Sequence, residues 1–347
     1  MNVAGSWSSS SSGLEAPQPQ ESYTTTVHIR TTWRRFRRRR MGLVGLIIMA
    51  LVVTSVIVVP MISPFQQNVA TSSVDLWMVP LNPNPDMWFA PVGAVDPATG
   101  FTAWLGTDKI GRDEFTRIFL GGRLTLFSAA LAAIITTVLG TIIGLVAGYF
   151  GGWIDLIFMR FTDFVLAWPL LPAFIVAIQL MKRGLARNEL ANNTTLVLVI
   201  VISSFVIFSW MGVARLVRGS VLVLRRQPFV EAAKALGAGS NRIIFKHLLP
   251  NAIAPIIVAA TLMVAEFVLW EALLAFIGQG ITEPPAPTWG NMLADSQSLI
   301  SYVTRANPFE EIRFFLFLFP CLMIMITVLA INYIADALRS ALAPTQI

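Results

Sequence analysis

The sequence predicts an all-α polytopic membrane protein with six transmembrane helices and cytoplasmic N- and C-termini, and three observations carry that prediction. The 347-residue chain is 55% hydrophobic and only 13% charged, with a mean hydropathy of +0.69, which is far too apolar for an ordinary soluble domain. Several nearly uncharged runs reach the roughly 20 residues that span a hydrocarbon core. The net charge of +6 sits largely in arginines flanking those runs, as cytoplasmic juxtamembrane segments require, so a lipid membrane is the expected environment and no nucleic-acid partner is expected. A single cysteine excludes an internal disulfide. With only two histidines beside it, a dedicated soft-metal site is not expected.

Residues 1–32 are rich in Ser, Thr, Pro and Gln and are expected to form a disordered tail, because they hold too little apolar surface to fold alone. The basic segment 33–40 contains six arginines and precedes the first span, 41–63. Arg34 and Arg35 ahead of an apolar run also fit a twin-arginine export signal, but this run is long, lacks a small-residue cleavage site and is followed by further spans. Residues 64–122 are expected outside the cytoplasm, as a Pro-, Asn- and Asp-rich loop with Trp77, Trp88 and Trp104 that leads to a helix entrance. At that entrance Asp108 and Asp113 can cap the helix or pair with Lys109, Arg112 and Arg117.

A core of five further spans is expected over 123–340. The second span, about 124–150, carries Gly140, Gly144 and Gly148 on one face, which lets another helix approach closely, within the chain or across a subunit interface. The third, about 157–181, holds Arg160 and Asp163 at a spacing that allows them to pair, together with Pro169 and Pro172. Counting spans puts the basic loop Lys182–Asn193 outside, against the positive-inside bias. The fourth span, about 194–211, runs into Arg215, Arg218, Arg225 and Arg226, marking 213–250 as a cytoplasmic loop.

Within that loop Glu231–Leu236 consists of strong helix formers, and Gly237 and Gly239 bracket a turn. Ser240 or Asn241 can cap a second short helix, which Pro250 ends or redirects. The result is a polar hairpin with a shape suited to docking. The fifth span, about 252–277, contains Glu266 and Glu271. A carboxylate near mid-span costs about 2.5–3.5 kcal/mol on insertion scales, so these residues need a partner or a watery path and are the candidates for a translocation path. An extracytoplasmic loop, 278–312, includes a PPAP run and Trp289, and a last span, about 314–335, ends near Asp336 and Arg339.

Four stretches carry a family resemblance. Glu231, Ala232 and Ala233, with Gly237 four residues on and His247, Leu249, Pro250 and Asn251 beyond, resemble the signature loop of ABC importer permeases. LGTDKIGRDEFTRIFLGGRLTL, from Leu105, resembles the GTD–GRD element of the oligopeptide, dipeptide and nickel branch, with Thr116 and Thr125 in place of serines. GYFGGWID at Gly148–Asp155 and LLAFIGQGITEPPAPTWGNML at Leu273–Leu293 also resemble that branch. The resemblance implies a type I importer fold and a transmembrane permease subunit of an ATP-driven, binding-protein-dependent importer, with peptides preferred over nickel because two histidines offer little nickel ligation.

Residue by residue, it implies that Glu231, Ala232, Ala233, Gly237, His247, Leu249 and Pro250 couple to an ATPase, and that Asp108, Arg112, Asp113 and Trp289 are gate or binding-protein contacts. The implied partners are a second homologous permease, two ATPase subunits and an extracytoplasmic substrate-binding protein, in a cell membrane. ATP and Mg would be held by those ATPases, because this chain has no G-x-x-x-x-G-K-[ST] loop, and no cofactor is expected on it. Nor does it contain H-E-x-x-H, G-x-S-x-G or a Ser, His, Asp grouping, so no catalysis is expected. The alternative from another class is an ion-coupled secondary transporter, which would place paired acidic residues on broken helices in two repeated halves.

Overall fold

Long apolar runs fold into long helices, since in lipid each backbone polar group must be satisfied within its own segment. A computed structural model describes residues 29–62, 92–95, 100, 102–108, 111–183, 185, 193–281, 286–300 and 310–343. The helices are α1 (Ile29–Arg37), α2 (Arg40–Ile62), α3 (Glu114–Phe150), α4 (Gly152–Leu166), α5 (Leu170–Lys182), α6 (Thr194–Leu224) and α7 (Pro228–Ala235). They are followed by α8 (Ser240–Phe276), α9 (Trp289–Ile300) and α10 (Glu310–Leu342). Two short strands, β1 (Ala94–Val95) and β2 (Thr102–Ala103), pair antiparallel, with Ala94 opposite Ala103. The expected tail up to residue 28, Trp77, Trp88, Lys109, Arg187 and the start of the PPAP run lie outside the described residues.

Helices α2, α3, α6, α8 and α10 are each long and apolar enough to cross a membrane, and α4 with α5 makes a sixth candidate that is bent by 95°. The third span was expected to be continuous, and the bend corrects that expectation. Pro169 adopts extended backbone (φ −66°, ψ 125°) and has no N–H to continue the helix. Helix α4 therefore stops at its Ala167 cap, and α5 restarts at Leu170. Pro172 sits in the first turn of α5, where a missing N–H costs nothing. The expected Arg160–Asp163 pair is also replaced, because Asp163 binds Arg215 of α6 at 2.5 Å.

The glycine stripe of α3 packs within the chain, against α6. A Cβ at Gly140 would stand 2.7 Å from Val213 Cβ, at Gly144 2.5 Å from the Ala214 carbonyl oxygen, and at Gly148 2.9 Å from Val221 Cβ. Only glycine permits that approach. Gly42 and Gly45 do the same for α2 against Ala337 and Ala330 of α10. Aromatic rings fill the space between α5, α6 and α8: Phe205 stacks on Phe267 with centroids 5.1 Å apart, and Phe174 meets Phe205 edge-on at 5.2 Å.

These contacts give the bundle two distinct ends. Phe36 of α1 packs on Ala337 and Ala341 near the end of α10, Arg225 reaches the last carbonyls of α3, and Tyr149 bonds Ser240 at the start of α8. The start of α2, the ends of α3, α6 and α10, and the start of α8 therefore share one arginine-rich end. The start of α3, the end of α8 and helix α9 lie together at the other.

Candidate functional site

At the arginine-rich end, α7 and the start of α8 form the polar hairpin. Pro228 opens α7 at its first position after an extended Gln227. The helix closes in a Schellman motif: the Ala238 N–H donates to the Ala233 carbonyl at 3.0 Å and the Gly237 N–H to the Lys234 carbonyl at 2.9 Å, with Gly237 at φ +79°. This motif explains the spacing seen in the sequence. The second Ala supplies the carbonyl that receives the closing bond, and four residues later a left-handed backbone requires Gly.

One side chain of α7, Val230, is buried in the core, whereas Glu231, Ala232, Lys234, Ala235 and Leu236 are exposed, Leu236 by 88%. Ala233 is half-buried. Helix α7 is thus pinned by one fully buried apolar residue and shows most of its remaining surface. Its base is braced by polar contacts. Arg225 Nη1 donates to the Gly148 carbonyl of α3 at 3.0 Å, a cation on a helix C-terminus. Tyr149 donates to Ser240 Oγ at 3.3 Å, and Lys234 Nζ stands 6.0 Å above the Tyr149 ring. Arg218 holds Asp155 of α4 through two nitrogens, one at 2.7 Å.

The second arm corrects an expectation. A separate short helix ending near Pro250 was expected, but Ser240 runs without interruption into the membrane-crossing helix as α8. Residues Ile243–Leu248 adopt a π-helix, whose wider turn makes room for a proline that has neither an N–H nor space beside the preceding turn. The Asn251 side-chain amide donates to the His247 carbonyl at 2.6 Å. Ile243, Ile244 and Leu248 point into the core, His247, Leu249 and Pro250 are half-buried, and the His247 ring lies 6.5 Å from that of Phe229.

The opposite end is built on buried charge. Asp113 caps α3, accepting from the Thr116 N–H at 2.8 Å and the Thr116 hydroxyl at 2.6 Å. Asp108 binds Arg112 at 2.6 Å and Arg117 at 3.0 Å. Arg117, 1% exposed, also meets Glu114 at 3.0 Å and Asp295 of α9 at 3.5 Å. Burial works against ionisation of Asp108, yet the Arg117 and Arg112 guanidiniums and the Arg112 N–H hold its carboxyl below the usual value. For Asp113 burial prevails and raises the carboxyl, against the opposing Thr116 hydrogen bonds.

Helix α9 is locked to this network by its first residues. Thr288 and Asn291 form a reciprocal cap, with the Thr288 N–H donating to Asn291 Oδ1 at 2.8 Å and the Asn291 N–H to Thr288 Oγ1 at 3.1 Å. The indole of Trp289, wholly buried, donates to the Ile118 carbonyl at 2.8 Å. Gly290 faces Ala272 and Ala275 so closely that a Cβ would come within 2.7 Å. Asp108, Arg112, Asp113 and Trp289 are all buried here, so contact with a partner would require this end to open.

The two carboxylates of α8 separate clearly. Glu271 is 0% exposed and accepts from the Thr125 hydroxyl at 3.3 Å, while Thr125 Oγ1 in turn accepts from the Trp289 N–H at 3.2 Å. It ties α3, α8 and α9 together and does not face an open path. Glu266 is exposed, and among the described residues its hydrogen-bond partner is Trp270 Nε1 at 3.3 Å, one turn along the same helix. Sequence reasoning missed Asp295, Glu114, the Arg225 brace and the Glu271 junction. Glu114 and Arg117, three residues apart, were the available signal. Among the described residues no group of three His, Cys, Asp or Glu is placed to hold a metal ion.

Comparison with known proteins is consistent along the chain. Residues 140–346 match the family described as binding-protein-dependent transport system inner membrane component, and residues 29–81 match the N-terminal TM domain of oligopeptide transport permease C. The dipeptide transport system permease protein DppC of Alkalihalophilus pseudofirmus is 36% identical over 95% of this chain and 94% of its own length. The oligopeptide transport system permease protein OppC of Bacillus subtilis is 33% identical over 89% of this chain and 87% of its own. The glutathione transport system permease protein GsiD of Escherichia coli is 32% identical over 90% and 89%.

Proposed function

The chain belongs to the family of binding-protein-dependent transport system inner membrane components, and from that membership we propose that it is the peptide-conducting permease subunit of an ATP-driven importer. It is a multi-pass membrane protein, and its part in transport is mechanical. The peptide class rests on the relatives, whose names specify dipeptide, oligopeptide and glutathione transport. A second permease completes the path, a substrate-binding protein delivers the peptide, and two ATPase subunits hold ATP and Mg. This chain performs no chemistry of its own.

The observation that carries the reading is the hairpin's exposed outer surface and braced base. Glu231, Ala232, Ala233 and Gly237 form a capped knob seated in an ATPase cleft. His247, Leu249 and Pro250 lie where the knob's second arm becomes a membrane-crossing helix, so motion of the ATPases passes directly into the bundle. Differential affinity of partners for the inward- and outward-open states then gives direction.

The test is Gly237→Pro in the complete transporter, reconstituted in proteoliposomes. Proline cannot adopt φ +79°, so the Schellman closure is lost while the membrane helices stay intact. We expect normal insertion, with peptide uptake reduced at least tenfold and no longer stoichiometric with ATP hydrolysis. Wild-type uptake would overturn the coupling role.

A further inference from the structure

At the arginine-rich end, α6, α8 and α10 leave between them a cleft of about 370 Å³. Its walls are apolar, with Leu216 from α6 and Pro255, Val258 and Leu262 from α8 among them. Among the described residues its only charged lining residue is Arg339, in the last turn of α10, beside Ala343. Along α8 the cleft descends from Ala254 to Leu262, a rise of about 12 Å at 1.5 Å per residue. An apolar cleft of that depth under a single cation has the polarity of one phospholipid.

Charge around the mouth supports the same occupant. Arg35 of α1 donates to the Ala343 carbonyl at 3.4 Å, which brings the arginine-rich α1 to the rim. Arg34, Arg37, Arg38, Arg39 and Arg40 are exposed, and none makes an ion pair among the described residues. Asp336, one turn before Arg339, is exposed and makes no ion pair with it. Trp33, stacked on Phe36 with centroids 5.7 Å apart and 50% exposed, sits where an interfacial indole belongs. Phe36 itself is buried on α10, so α1 lies across the end of the helix that carries Arg339.

We propose that this cleft binds one anionic phospholipid of the leaflet at the arginine-rich end, with an acyl chain between α6 and α8 and the headgroup phosphate on Arg339, backed by the arginines of α1. Neutral lipid gains the apolar contact alone. A basic side chain near an anionic lipid surface is worth about 1 kcal/mol, or roughly fivefold in binding. The bound lipid would tie α1 to the end of α10 and so set how firmly the first span is held to the bundle.

The experiment is native mass spectrometry of the purified, intact transporter, titrated with phosphatidylglycerol and phosphatidylcholine of identical chains. The wild type should retain one phosphatidylglycerol per copy of this chain in preference to phosphatidylcholine. Arg339→Gln, at an exposed position where the fold does not depend on the side chain, should reduce that preference about fivefold, and Arg339→Lys should keep most of it. Ala259→Leu, which narrows the cleft, should lower retention of both lipids. Equal retention of the two lipids by the wild type, or an unchanged preference in Arg339→Gln, would overturn the proposal. So would full competition by glycerol phosphate, which would mean a headgroup site without the cleft. Binding only after the other subunits are stripped away would also overturn it, because a partner protein would then own the surface.

Discussion

The two ends of this helix bundle carry equally distinctive motifs and turn them in opposite directions. Where α3 begins, Asp108, Arg112, Asp113, Glu114 and Arg117 face inward, each at most 7% exposed; Asp113 caps the helix, and the other four pair with one another or with Asp295. At the arginine-rich end, Glu231, Lys234 and Leu236 face outward, and the knob is held from beneath by Val230 of α7, by Ile243, Ile244 and Leu248 of α8 and by the Arg225 and Tyr149 hydrogen bonds. Charge at one end serves cohesion, and charge at the other is left available. Distinctive sequence therefore marks both a buried network and an exposed knob, and burial tells them apart.

The largest effect that tests the contrast is Arg117→Ala. It leaves Asp108 and Glu114 as buried carboxylates short of a partner, which costs about 3–5 kcal/mol. The unfolding midpoint in detergent and the yield of inserted protein should both fall sharply. Next comes Trp289→Phe, which removes the indole N–H bond to the Ile118 carbonyl and leaves a smaller ring in a fully buried site, for about 1–3 kcal/mol. Uptake should become leaky before the fold is lost.

A smaller effect is acid sensitivity. The depressed Asp108 carboxyl contributes stability that is fully present above the ordinary aspartate value of 3.8 and is lost as pH falls through its lower folded value. Asp113, raised above 3.8, acts in the other sense, because its ionised form costs stability at neutral pH and that cost disappears on acidification. Stability curves taken below about pH 4 should show an acid limb that Asp108→Asn reduces and Asp113→Asn leaves in place. The smallest effect is Glu231→Lys, which should shift the midpoint by no more than about 0.5 kcal/mol while uncoupling uptake from ATP hydrolysis. A large loss of stability there would erase the distinction between the two ends.

Local patterns made much of this legible. Apolar runs located the spans, glycine spacing located the α3 contact face, and Gly237 with Gly239 located the hairpin turn. What escaped depended on distance along the chain or on a change of helix register. Asp295 joins Arg117 across 178 residues, Asp163 chooses Arg215 over its neighbour Arg160, and Glu271 is enclosed because Thr125 and Trp289 arrive from other helices. No periodicity encodes such meetings. Pro250 ordinarily signals a helix end, and the π-helical turns before it defeat that rule. At Pro169 the same residue type did break a helix, with Ala167 capping α4 and Pro169 in extended backbone.

The unbroken run of α8 has a mechanical consequence. Its 37 residues extend about 55 Å at 1.5 Å per residue, with the hairpin turn at one tip and Glu271, hydrogen-bonded to Thr125, near the other. A tilt of only about 5° imposed at the near tip carries the far tip through roughly 5 Å, the length of a helical turn. If the hairpin is driven as proposed, a small rotation imposed at one tip becomes, at the other, a displacement of about a helical turn against the α9 end where Trp289 meets the Ile118 carbonyl.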